Sequence, residues 1–146
     1  MAKWSSRTTR GLAVTSCTIG AVEIIGTGLD ATEIARIAAA IDRYGDRFVR
    51  RVFTDGEIAY CRGKRDFASS FAARFAAKEA AMKALGTGHS RGVFWRTIEV
   101  VRRGGPPQLR FHDGAAARLA AMGGTGSLLT LTHSEELAIA HVMIVR

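Results

Sequence analysis

Disulfide and zinc chemistry are the first possibilities to fall. The 146-residue chain has two cysteines, Cys17 and Cys61, which share no motif. That count and spacing give neither a disulfide framework nor a Cys/His metal site, so both thiols are expected to be reduced. Proline is as scarce, with Pro106 and Pro107 adjacent, and no linker divides the chain. No apolar run approaches the roughly 20 residues of a membrane-spanning helix. The basic N-terminus leads into a stub of apolar sequence too short for a secretory core. A cytoplasmic protein with no membrane contact is expected. Acidic residues are the last shortage: 13 Asp and Glu face 21 Lys and Arg, a net charge of +8. Such a balance favours an anionic partner, whether nucleic acid, an acidic protein or a phosphate-rich ligand. Nucleic acid is the weakest of the three, because no basic strand is interleaved with aromatics and no recognition motif occurs.

What is present is enough for one core. Hydrophobic residues make up 47% and charged residues 23%, ordinary values for a single folded domain. Residues 1–21 are small, polar and basic without periodicity and are expected to form a flexible extension; residues 22–146 form the domain. A first strand is predicted at Val22-Glu23-Ile24-Ile25, with Gly26-Thr27-Gly28 as a turn. Ile34, Ile37, Ile41 and Tyr44 then recur at helical spacing, and Gly45 stops the run. Thr54 and Glu57 form a capping box. The strongest helix spans Phe67 to Leu85, striped by Phe71, Phe75, Met82 and Leu85, with eight alanines raising its propensity. Ile98–Val101 and Leu109–Phe111 flank the Gly-Gly-Pro-Pro turn as a hairpin. A short helix over Ala115–Met122 and two apolar runs, Leu128–Thr132 and Leu137–Val145, complete the chain. Helices and antiparallel strands mix without regular alternation, so the fold class is α+β.

Two carboxylates attract attention. Asp30 follows the glycines at the start of a helix, a place that suits an N-cap and equally a metal ligand fixed from both sides. Glu79 and Lys83 lie i,i+4 on the flank of the long helix, either as a solvated ion pair or as part of a site that small alanines leave accessible. Two carboxylates, nearby basic residues and no His/Cys cluster fit a hard cation such as Mg2+, which uses one or two carboxylates, water and substrate phosphates. Gly86-Thr87-Gly88 follows the helix and lacks the Lys-Ser/Thr ending of a nucleotide phosphate loop, so alone it reads as a C-cap. His133 stands between two strand-like runs. Arg36, Arg43, Arg47 and Arg50 share one face if the helical phase survives Gly45, either as a solvated surface or as a dock for an acidic partner.

Together these segments resemble the holo-acyl-carrier-protein synthases, the small bacterial class of 4'-phosphopantetheinyl transferases, over Ile24 to Val145. The resemblance rests on Ile25-Gly26-Thr27-Gly28-Leu29-Asp30 with Glu33, on Arg47-Phe48 leading to Thr54 and Glu57, and on Leu131-Thr132-His133-Ser134. Its most specific part is Arg74-Phe75-Ala76-Ala77-Lys78-Glu79-Ala80, continued by Lys83-Ala84-Leu85-Gly86-Thr87-Gly88. Ala81-Met82 departs from the family pattern without removing a ligand, and His89-Ser90 is an unusual combination after the Gly-Thr-Gly turn.

The resemblance implies a phosphopantetheinyl transferase fold, with a small antiparallel sheet packed on a long central helix and shorter helices. It implies transfer of the 4'-phosphopantetheine arm from coenzyme A to a serine of apo-acyl carrier protein, releasing adenosine 3',5'-bisphosphate. Asp30 and Glu79 would bind Mg2+ (or Mn2+) and, with Lys83, form the catalytic group. Arg74, Lys83, Gly86, Thr87, Gly88 and His133 would contact coenzyme A. Arg36, Arg43 and Arg47 would meet the acidic carrier protein, and a homotrimer would place active sites between subunits.

Overall fold

In a computed structural model, residues 21–146 are described. The extension expected over residues 1–21, and with it Cys17, falls almost wholly outside the described residues. The elements run β1 (Ile24–Glu33), α1 (Ile34–Tyr44), α2 (Asp46–Val52), α3 (Asp55–Arg62) and α4 (Phe67–Leu85). After them come a 3-10 turn (Trp95–Thr97), β2 (Ile98–Val101), β3 (Gln108–Phe111), α5 (Asp113–Ala121), β4 (Gly126–His133) and β5 (Leu137–Val145). β1, β5 and β4 form an antiparallel sheet in that order, and β2 pairs with β3 in a separate hairpin. The architecture is the expected α+β arrangement of small antiparallel sheets on a long helix.

Helix α4 is the axis. Its sides bury Phe71, Ala72, Ala76, Ala77, Ala80, Ala81, Ala84 and Leu85, so the alanine content that gives it propensity also lets neighbours approach on nearly every side. Strand β5 supplies the matching surface: Ala138, Ala140, Val142 and Ile144 alternate inward and are fully buried, as a strand with one covered face requires. The N-terminal half of α4 packs with Ile34 and Ile37 of α1, Val49 and Val52 of α2 and Phe53 just after it, while its C-terminal half packs with Val93, Ile98, Val100 and Ala115.

One local expectation fails. Gly26-Thr27-Gly28 is not a turn; β1 runs straight through it to Glu33, pairing Gly28 with Val142 and Asp30 with Ala140. The glycines serve proximity. A Cβ on Gly28 would lie 1.9 Å from the Ala80 carbonyl oxygen, and one on Gly26 would lie 2.3 Å from that of Ala84. Backbone therefore meets backbone where β1 crosses α4, something no side chain would permit. Asp30 is accordingly a strand residue and not an N-cap; the residue before α1 is Glu33, whose side chain makes no cap hydrogen bond.

Candidate active site at the seam of strand β1 and helix α4

Asp30 lies two residues beyond Gly28 on the same face of β1, so the side chain is delivered to the seam with α4. There Lys83 Nζ donates 2.8 Å to Asp30 Oδ1 and 2.9 Å to the Leu29 carbonyl, while the Thr32 hydroxyl donates 2.8 Å to Oδ2. The Asp30 side chain is 15% exposed and that of Lys83 52%. This is an ordered pair, open to solvent on one side. Glu79 precedes Lys83 by four residues and shares its side of the helix. Its Oε1 accepts a 2.6 Å hydrogen bond from the Trp95 indole, a contact between residues sixteen apart that no sequence motif announces.

The donors at this seam are carboxylate oxygens. Among the described residues no three His, Cys, Asp or Glu side chains cluster as a ready-made metal cage. Two carboxylates on adjoining elements suit a hard cation that keeps water and substrate oxygens, and do not suit zinc. Asp30 and Glu79 are the residues that could hold one.

Gly86 ends α4 in the left-handed conformation (φ 68°), its N–H reaching the Lys83 and Met82 carbonyls, and Thr87 N–H also reaches Met82. Gly88 follows with φ 54°. The Gly86-Thr87-Gly88 backbone thus leaves the helix three residues after Lys83.

Arg74 and His133 share a different place. Together with Tyr60, Ser69, Ser70, Arg102, Pro107 and Thr132 they line a cavity of about 340 Å3. Arg74 is 5% exposed and lies 4.0 Å over the Tyr60 ring, and its Nε is buried without a hydrogen-bond partner among the described residues. Burial works to raise the Tyr60 pKa, but Arg102, Lys64 and Arg74 outweigh it and hold the phenol below its ordinary value. Tyr60 and Arg102 escaped the sequence reading, since Arg102 follows the end of a strand and Tyr60 reads as an ordinary helical aromatic.

Arg36, Arg43 and Arg47 are all exposed. Gly45 adopts φ 52° and breaks the helix, so the arginines are presented by two helices and not along one continuous face. Arg43 stacks on Tyr44 (5.2 Å), while Arg47 joins Tyr44, Phe48 and Arg51 around a shallow hollow of about 290 Å3. Arg50 turns to Asp46 at 3.9 Å.

Lys78 is fully buried. It pairs with Glu57 at 2.8 Å and donates to the Trp95 carbonyl at 2.8 Å and to the Ile98 carbonyl. Glu57, the capping-box residue of α3, also accepts from Thr54 N–H and Val100 N–H at 2.9 and 2.8 Å. Burial pulls the Lys78 ammonium below its usual pKa, against the opposing pull of Glu57.

Comparison with known proteins gives these features a common frame. The 4'-phosphopantetheinyl transferase superfamily matches residues 26–140. A holo-acyl-carrier-protein synthase of Koribacter versatilis is 49% identical over 122 residues, covering 83% of this chain and 98% of that protein. One from Methylobacterium nodulans is 51% identical over 126 residues, covering 83% and 96%. Among solved structures, the Neisseria meningitidis holo-acyl-carrier-protein synthase superposes with a TM-score of 0.78 at 28% identity over 84% of this chain and 98% of its own. The Helicobacter pylori enzyme in complex with coenzyme A gives 0.72 at 27% identity, over 81% and 98%. No helix among the described residues is long and apolar enough to cross a membrane. The chain belongs to the 4'-phosphopantetheinyl transferase superfamily and, within it, to the holo-acyl-carrier-protein synthases.

Proposed function

We propose that the protein moves the 4'-phosphopantetheine arm of coenzyme A onto a serine of apo-acyl carrier protein in the cytoplasm. The serine oxygen bonds to the phosphorus of the arm, the serine proton passes to water, the pyrophosphate P–O bond breaks, and adenosine 3',5'-bisphosphate leaves. The observation that carries this reading is the seam itself: Asp30 held on Lys83 at 2.8 Å, with Glu79 one helical turn away on the same side. Phosphoryl transfer asks mainly for positioning and for neutralisation of charge, and this group offers both.

Asp30 and Glu79 would hold Mg2+, which supplies charge neutralisation at the pyrophosphate oxygens. The remaining work belongs to the chain. Lys83 is half exposed with one ammonium proton beyond its two protein partners, so it can reach the pyrophosphate and balance charge on the leaving group. Arg74 and His133 are assigned to the 3'-phosphate, a reading supported by the unpartnered Nε of Arg74 in their shared cavity. Gly86, Thr87 and Gly88 offer backbone to the adenosine. Arg36, Arg43 and Arg47 are assigned to the acidic carrier, whose approach their charge would steer. We also propose a homotrimer with sites between subunits.

Incubation with coenzyme A, Mg2+ and apo-acyl carrier protein should add ~340 Da to the carrier, the mass of the arm moved by this phosphoryl-transfer chemistry. An unchanged carrier mass would defeat the proposal. Charge reversal at Arg43 should raise KM for the carrier far more than KM for coenzyme A; equal effects on both would remove that residue from the docking face.

A further inference from the structure

Trp95 is gripped by two consecutive residues of α4. The main-chain carbonyl of Trp95 accepts from Lys78 Nζ at 2.8 Å, and its indole N–H donates to Glu79 Oε1 at 2.6 Å. Residues 78 and 79 project about 100° apart around the helix axis, so one takes the backbone and the other the ring. Lys78 is itself immobilised by Glu57 and by the Ile98 carbonyl in the core. The ring has neighbours on its apolar surfaces too, Phe75 at 5.9 Å and His89 at 4.3 Å between centroids. Thr97 closes the turn, with its hydroxyl accepting from Phe94 N–H and donating to the Phe94 carbonyl. A solvated surface tryptophan would need none of this.

We propose that Trp95 is a positioning residue for the Glu79 carboxylate. The indole commits one carboxylate oxygen and fixes the plane of the group, leaving the other oxygen for the cation shared with Asp30. The peg is remote from the chemistry: the buried Glu57–Lys78 pair fixes the Trp95 backbone, and the ring passes that fixity to Glu79. This assignment rests on Glu79 being a cation ligand. Outer partners of that kind are worth about 10–100-fold in metal affinity.

Direct Mn2+ binding to the full chain, read by the electron spin resonance of free Mn2+, tests both levels separately. Trp95→Phe, which keeps a ring and removes the N–H, should weaken Mn2+ binding by about 10–100-fold. In a Glu79→Ala background the same change should cost nothing further, because the group being oriented is gone; an equal additional loss there would mark a generic packing effect and overturn the proposal. Trp95→Phe within twofold of the parent, with Glu79→Gln still deficient, would overturn the Trp95 assignment and leave the ligand assignment standing. Glu79→Gln binding as well as the parent would overturn the ligand assignment and Trp95 with it.

A second readout needs no change at Trp95. The chain has two tryptophans, Trp4 and Trp95, hence two indole N–H signals in a 15N spectrum. One of them should shift on Glu79→Gln and on Mg2+ addition to the parent, and both signals unmoved in both experiments would overturn the proposal.

Discussion

Helix α4 carries two lysines five residues apart, each 2.8 Å from a carboxylate. At Lys78 both partners are fully buried, and the three ammonium protons find Glu57, the Trp95 carbonyl and the Ile98 carbonyl. At Lys83 the side chain is half exposed, and two protein acceptors leave a donor directed to solvent. Equal distances therefore describe different chemistry. The first pair has no unused valence and can only hold α3, α4 and the Trp95 turn together. The second has a carboxylate at 15% exposure and a cation with reach, which is what a substrate can meet. Burial and residual hydrogen-bonding capacity separate the roles; separation alone does not.

The contrast can be broken from either side. Asp30→Asn should abolish transfer of the arm while shifting stability by no more than about 1 kcal/mol, the upper range for a partly exposed pair. A large fall in thermal midpoint with activity preserved would reverse the assignment. Lys78→Met should do the opposite first: stranding the buried Glu57 carboxylate costs about 3–5 kcal/mol of stability by denaturant unfolding. Replacing both partners together with Lys78→Met and Glu57→Leu should recover part of that loss, because an apolar pair strands no charge.

The smallest effect concerns Cys61, which lies in the buried half. Burial pushes its thiol up to about 11, with Glu57 adding to the rise and Arg74 and Lys78 opposing it. The native protein should therefore resist alkylation at neutral pH until it unfolds. Because the folded state holds this proton more tightly than the unfolded chain, the contribution is full below pH 9 and is lost as pH rises towards 11. A thiol modified at native rates near pH 7 would contradict this.

Elements governed by their own sequence were legible. The capping box at Thr54 and Glu57 closes as expected, α4 starts at Phe67 and ends at Leu85, and Gly86 takes the left-handed cap. Features set by the approach of distant elements were not. Gly26 and Gly28 looked like a turn because turn signals are local, whereas their purpose is visible only once α4 lies against β1. Asp30 lost its capping role for the same reason. Glu57 declared its cap and concealed its bond to Lys78, and Trp95 carried no signal at all, since its partner lies a helix and a loop away. Asp30, Glu79 and Lys83 were grouped by resemblance alone; the structure joins Asp30 to Lys83 and sets Glu79 one helical turn before Lys83, bonded to Trp95.

The glycine crossing of β1 and α4 has a dynamic consequence. Packed side chains can switch between alternative interdigitations, but two backbones in direct contact have no second arrangement to adopt. Strand and helix should therefore travel as one body, and the Asp30–Lys83 relation should be the same before and after a substrate arrives. Any opening and closing around such a site should fall to the segment after Lys83, where Gly86, Gly88, Arg91 and Gly92 all take positive φ. Hydrogen exchange should find the amides of β1 and α4 among the last to open and those of residues 86–92 among the first.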